Sequence, residues 1–201
     1  MSSKTKKLTF LVFLFIAALL ILLEYAPHYL TYADTPVKSD AIVLFIGLVQ
    51  DNRARQEEAN LLITQGYARY FLIPAYGKVS KVSSALSHAG TKALPNPIIS
   101  NLKTKSYFEN THVEVLEAKR MMEHYGLKSA IFVSSPDHMR RIKIITEKVF
   151  DEKDVRIAFV PARSETSHHD LRDMTPSDYT RMGKEYIKIV WFLMYSPFHS
   201  T

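Results

Sequence analysis

A chain of 201 residues, 47% hydrophobic and 23% charged, has the composition of a folded protein rather than a disordered one. Its net charge of +6 is dispersed, with no basic helix or aromatic nucleic-acid motif, so a nucleic-acid partner is not expected; a spread surplus suits an anionic membrane surface or an anionic small molecule. The absence of cysteine excludes disulfide staples, thiolate catalysis and cysteine-built zinc sites.

Leu8 to Leu23 reads LTFLVFLFIAALLILL, with no charge and one hydroxyl. Extended to Ala26, the run reaches the ~20 residues that span a bilayer core. Lys4, Lys6 and Lys7 precede it, whereas Glu24 to Asp34 has two acids and no Lys or Arg. The positive-inside rule then predicts residues 1–26 as a cytoplasmic tip and transmembrane anchor. A cleaved signal peptide is the alternative, with Thr31-Tyr32-Ala33 as its best cleavage site. Residues 27–39, with two prolines and many polar residues, read as a short extended stalk.

One α/β domain is predicted over residues 40–201. Asp40 to Gly47 is an apolar run ending in glycine, the pattern of a strand buried on both faces. Residues 52–65 have helical spacing, with Ala54, Ala59, Leu62 and Ile63 on one face and Gly66 as the stop. Tyr70 to Pro74 is a second strand. Residues 78–105 have loose helical spacing around Val79, Val82, Ala85 and Leu86, with a short strand at Ile98-Ile99. Residues 110–125 form an amphipathic helix, with Val113, Leu116, Met121 and Tyr125 as its candidate buried side and Gly126 as the stop. Ser129 to Ser134 is a strand. Asp137 to Phe150 is a basic helix with Met139, Ile142, Ile145 and Val149 inward, and Val155 to Val160 is a strand. The last helix, 178–195, puts Tyr186, Ile189, Val190, Phe192 and Leu193 on its apolar side. Strand and helix alternate, which implies βαβ units and a Rossmann-like three-layer α/β/α domain with a mainly parallel sheet.

Open α/β sheets bind ligands at the carboxyl ends of their strands. That rule selects Gly47, Gln50, Asp51, Asn52, Arg53 and Arg55 after the first strand, Ser106, Glu109, Asn110 and Thr111 ahead of the central helix, with Glu114 near its start, and Ser134, Ser135, Asp137, His138, Arg140 and Arg141 after the third strand. The last group is the densest. Its hydroxyls precede a helix start, where free N–H groups attract anions. His138 suits proton transfer, and Arg140 or Arg141 suits a bidentate grip on an anionic oxygen. Each feature also has a plain structural reading. Ser135 or Asp137 can cap the helix, and Asn110 or Thr111 with Glu114 can form a capping box. His168-His169-Asp170 reads as a loop, and no metal site is assigned.

On these residues the chain resembles the SanA/YdcF/ElyC-like bacterial proteins, of the type linked to vancomycin exclusion by the cell envelope. The resemblance covers roughly residues 39–195. Phe132-Val-Ser-Ser-Pro-Asp-His-Met-Arg-Arg141 is similar to the family's V-T-S-x-x-H-M-x-R-A signature, and Asn110-Thr-His-Val-Glu114 to its N-T-x-E-E/N helix start. Asp40-Ala-Ile-Val-Leu and Glu185-Tyr-Ile-Lys188 match its opening strand and its last helix. The turn Phe45-Ile-Gly47-Leu48 departs from the family's three glycines, and no cofactor is assigned. The resemblance implies a Rossmann-like fold, a single-pass protein of the bacterial inner membrane with its domain in the periplasm, and a role in envelope or peptidoglycan-precursor biology. The expected partner is a phosphate-bearing small molecule or lipid-linked cell-wall precursor. If the chain is an enzyme, the expected chemistry is phosphoester or phosphoanhydride hydrolysis or transfer, with His138, Glu114 and Asn110 catalytic. A non-catalytic scaffold for envelope biogenesis and an S-adenosylmethionine-binding protein are the alternatives.

Overall fold

The computed structural model describes residues 3–46, 49–81, 109–151, 155–164 and 172–198. Helix α1 (Ser3–Leu30) leads into an extended segment and then β1 (Ala41–Leu44), α2 (Val49–Thr64) and β2 (Tyr70–Ile73). A short 3-10 turn, Pro74–Tyr76, leads into β3 (Lys78–Lys81). Then come α3 (Asn110–His124), β4 (Ser129–Ser134), a 3-10 turn at Pro136–His138, α4 (Met139–Val149), β5 (Arg156–Pro161) and α5 (Pro176–Tyr195). Among the described residues the strands form one sheet of order β3-β2-β1-β4-β5. All neighbours are parallel except β3, which runs antiparallel to β2. The mixed α/β architecture with a mostly parallel sheet is the expected one.

Side-chain alternation along the central strands explains why both faces are covered. Ala41, Val43, Phe45, Ala130 and Phe132 face a core completed by α3, α4 and α5. Ile42, Leu44, Ile131 and Val133 face a second core completed by Ala59, Leu62 and Ile63 of α2. Phe132 sits at the centre of the first core, with ring contacts to Phe45, Phe150 and Phe159. The stops at Gly66 and Gly126 carry φ of 73° and 63°, the left-handed conformation that ends a helix without a Cβ penalty.

Several expectations are corrected. Residues 78–81 form an edge strand, not a helix: Gly77, at φ 59°, turns the chain back so that Lys78 to Lys81 pair with Ile73 to Tyr70. The Ile98-Ile99 strand and His168-His169-Asp170 lie outside the described residues. In α3 Val113 and Met121 are buried as expected, Leu116 is half-buried and Tyr125 is exposed, and the buried side extends to His112, Val115, Ala118 and Met122. In α5 Ile189 and Phe192 are buried, whereas Val190 and Leu193 are exposed.

Residues 27–39 divide between the end of α1 and an extended segment. The helix runs through Pro27 to Leu30, whose side chain is buried. Residues 31–39 then lie against the domain, touching β5 at Asp34 and reaching the Tyr67 carbonyl, ahead of β2, at Ser39. Asp34 N–H donates to the Phe159 carbonyl (2.8 Å), and Phe159 N–H donates to Asp34 Oδ2 (3.0 Å). The outward N–H and carbonyl of Phe159 on this edge strand are thereby satisfied. Among the described residues no helix is long and apolar enough to cross a membrane.

Candidate functional site

β1 and β4 are adjacent and parallel, so their carboxyl ends open on the same edge of the sheet, where α/β domains place ligands. The segments after them carry Phe45-Ile46 and Ser135 to His138. Helices α2, α3 and α5 each bring buried polar side chains to these segments.

From α2 comes Arg55, which is buried. Its Nε and Nη2 donate to Ser135 Oγ (2.9 and 2.5 Å), and its Nη1 donates to the Phe45 carbonyl (3.1 Å). Arg53 is instead on the surface, paired with Glu57 one turn on. Residues 53 and 55 sit about 200° apart around a helix, so they cannot share a face. A usable signal was present in the sequence: Ala59 and Leu62 lie at i+4 and i+7 from Arg55, on the helix side that meets the sheet.

From α3 come Thr111 and Glu114, both buried. The expected capping box is absent. Glu109 is the N-cap residue and makes no side-chain cap, and Asn110 is exposed. Glu114 instead accepts a hydrogen bond from Ile46 N–H (2.9 Å). Burial pushes its carboxyl up to about 8, against the opposing pull of that bond and of Arg55 and Arg141. At neutral pH Glu114 is therefore mostly a neutral acid.

Ser135 and Asp137 make no side-chain cap on the turn or on α4. Asp137 faces Arg181 of α5 at 3.6 Å, and burial raises its carboxyl while Arg181 opposes the rise. Ser134 is fully buried, and its Oγ has no hydrogen-bond partner among the described residues.

His138 lies between α3 and α5. Its Nδ1 is 3.1 Å from Glu185 Oε2, and its Nε2 is 3.3 Å from Thr111 Oγ1. Burial, reinforced by Arg141, lowers the imidazole to about 4, with Glu185 opposing. The ring is neutral at pH 7. Arg141 Nη2 lies 2.7 Å from Nδ1 and 3.0 Å from Nε2, so each ring nitrogen faces this donor as well as Glu185 or Thr111. Burial alone would raise Glu185, but His138 and Arg141 outweigh it and hold the carboxyl below its usual range.

The two arginines of the signature separate. Arg141 is fully buried and ties three helices together. It donates to Glu185 Oε2 of α5 (2.7 Å), to Thr111 Oγ1 of α3 (2.6 Å) and to Glu109 at the start of α3, with Nη2 also 3.0 Å from His138 Nε2. Arg140 turns the other way. Its Nε donates to the Tyr29 carbonyl (2.8 Å), and its guanidinium lies over the Tyr29 and Tyr32 rings. Arg140 therefore lies at the end of α1, and Arg141 lies among Glu185, Thr111 and Glu109. Acids also surround the site, so it is mixed in sign rather than uniformly positive.

The structure thus brings together Thr111, Glu114, Ser135, His138 and Arg141 from the sequence-selected set. It places Arg53 and Arg140 elsewhere, and Gly47 and Ser106 lie outside the described residues. Strand-end logic also reached Arg55 and Glu109, whereas Arg181 was missed and Glu185 entered only as part of a resemblance. Among the described residues there is no cluster of His, Asp and Glu suited to a metal ion. No protein-family model, curated protein or solved structure matches the chain.

Proposed function

We propose that this chain is a membrane-tethered, Rossmann-like α/β/α domain of the bacterial envelope that binds a phosphate-bearing small molecule or lipid-linked precursor at the carboxyl ends of β1 and β4. The observation that carries this reading is the convergence of buried Arg55, Ser135, Thr111 and Glu114 and the half-buried His138 on one sheet edge. Burying that many polar groups is unfavourable unless they are paired or used, and catalytic and binding sites are where such arrangements concentrate. Arg55 supplies the cation beside a hydroxyl, a pairing suited to a phosphate oxygen.

The chemistry that fits is hydrolysis or transfer at a phosphoester or phosphoanhydride. His138, neutral and beside Glu185, takes a proton from an incoming water or hydroxyl on its unprotonated ring nitrogen. The new oxygen–phosphorus bond displaces the leaving oxygen, and Glu114, which still holds its proton at neutral pH, donates it there. The base and the acid start in the protonation states the step requires.

The tether reading rests on the uncharged run Leu8 to Leu23, helical throughout and exposed along Leu8 to Ile16. Flotation of the full chain with vesicles after an alkaline wash tests it. For the site, the full chain is titrated with inorganic pyrophosphate in calorimetry and screened by native mass spectrometry for a retained phosphorylated species. Binding that Arg55→Ala weakens by roughly tenfold or more supports the proposal. Absence of both pyrophosphate binding and a retained ligand ends it.

A second reading has its own support. The Arg141 network with Glu109, Thr111 and Glu185 is what a purely structural tie between helices would look like, and a non-catalytic scaffold would keep it. Under that reading His138→Ala and Glu114→Gln leave function in cells intact, whereas removal of α1 abolishes it.

A further inference from the structure

Helix α5 is apolar on two sides, and its core side accounts for only one of them. Glu185, Ile189, Phe192 and Tyr195 are buried against the domain. Ile187, Val190, Trp191, Met194 and Phe198 are 46–80% exposed, at helical spacing along the opposite side. Leu193 adds to the same surface. A contiguous apolar surface of this kind on a soluble face marks an interaction site.

Three observations select its occupant. First, the helix is graded along its length. Arg181, Lys184 and Lys188 lie in the earlier turns, and Ile189 to Phe198 carries no charge at all. Second, α1 leaves the domain beside this helix: Tyr186 donates to the Ala26 carbonyl (2.7 Å) and stacks on Tyr29. Third, the aromatic residues that bracket this point, Tyr25, Tyr29 and Trp191, are exposed and of the types that favour a membrane–water interface.

We infer that the outer face of α5 from Ile187 to Met194, together with Phe198 in the 3-10 turn Ser196–Phe198 that follows it, lies in the membrane interface. Its apolar stripe is inserted among the acyl chains, and Lys184 and Lys188 sit at the level of anionic headgroups. This rests on the tether reading, because α1 brings Tyr186 to the bilayer surface. From Tyr186 the helix continues for about 13 Å, at 1.5 Å per residue, enough to lay two and a half turns along the boundary. The grading of charge is that of a helix lying in an interface rather than one crossing it. Two contact points, α1 and α5, would fix the orientation of the domain and the height of its sheet edge above the headgroups.

Trp191 is the chain's one tryptophan, so its emission reports this face alone. The full chain is reconstituted into phosphatidylethanolamine–phosphatidylglycerol vesicles, with or without lipids brominated on the acyl chains. The expected result is a roughly twofold or larger loss of Trp191 emission with brominated lipid, together with protection from aqueous iodide. Ile187→Asn with Met194→Gln, both at exposed positions, should reduce the bromolipid quenching and restore iodide access. Iodide-sensitive emission with no bromolipid quenching overturns the inference. So does emission shielded from both quenchers, which means that another segment of the chain or a second copy covers the face. Alkaline-resistant flotation reads the tether separately. A chain that floats but is not quenched retains its tether and lacks the α5 contact. A chain that fails to float yet is quenched at neutral pH lacks the tether and keeps the contact.

Discussion

His138 and Glu185, 47 positions apart, meet with Nδ1 3.1 Å from Oε2, and the same carboxylate accepts from Arg141 Nε at 2.7 Å. One acid on α5 therefore orients the imidazole and neutralises the most deeply buried guanidinium. Glu185→Ala leaves Arg141 with Glu109 as its remaining carboxylate partner. Breaking a buried pair by removing one member costs about 3–5 kcal/mol. Urea unfolding should show that loss. Because Glu185 raises the His138 pKa, NMR titration of a folded Glu185→Gln variant should place the imidazole lower still. A Glu185→Ala protein as stable as the parent would contradict the pairing.

Arg55 and Arg53 offer a matched comparison two residues apart on one helix. Arg55→Ala leaves the Phe45 carbonyl and Ser135 Oγ without their donor, a loss of about 1–3 kcal/mol. Arg53→Ala removes an exposed pair with Glu57 and should change stability by less than about 0.5 kcal/mol. Pyrophosphate binding should follow the same ranking. Equal effects at the two positions would mean that α2 presents its other face to the site.

Much of this architecture was legible in the chain. The strands Ala41–Leu44 and Ser129–Ser134 announce themselves as apolar runs because both of their faces are buried. The inward side of α4 follows directly from the spacing of Met139, Ile142, Ile145 and Val149. The short edge strand Lys78–Lys81 was not legible. It has no buried face to impose a pattern, and a left-handed Gly77 rather than side-chain period defines it. The site was legible by position but not by partner. Strand-end logic finds Ser135 and His138, yet which of Arg140 and Arg141 turns inward depends on where Tyr29 and Glu185 arrive in space. Capping logic misassigned Thr111 and Glu114 because the same residue types serve a cap or a site equally well. Only the arrival of Ile46 N–H and Arg141 distinguishes the two.

Arg140 is a test of what the extended segment does. Its hydrogen bond to the Tyr29 carbonyl and its stacking over Tyr29 and Tyr32 hold the end of α1 to α4. Arg140→Ala should speed amide exchange at residues 29–34 and reduce stability by about 1 kcal/mol, the scale of one such hydrogen bond. Pyrophosphate affinity should stay within about twofold of the parent, since the side chain does not reach the sheet edge. A large loss of affinity would put Arg140 back in the site.

Glu114 and His138 give the domain a pH signature of stability. Glu114 has a folded pKa of about 8 against an unfolded value near 4.5, so its contribution is fully present below 4.5 and is lost as pH rises through 8. His138 is lowered to about 4 from 6.5, so its contribution is present above 6.5 and is lost as pH falls through 4. Between 4.5 and 6.5 the two slopes oppose each other and stability should change little. Between 6.5 and 8 Glu114 acts alone, and the melting temperature should fall as pH rises. Glu114→Gln keeps an oxygen for the Ile46 N–H but cannot ionise, so its melting temperature should be flat over that window. With Glu114 removed, the His138 contribution is unopposed, and the variant should gain stability from pH 4.5 to 6.5 where the parent does not. Parallel curves for the two proteins would show that Glu114 is already ionised at neutral pH, and the acid assigned to the leaving oxygen would then be lost.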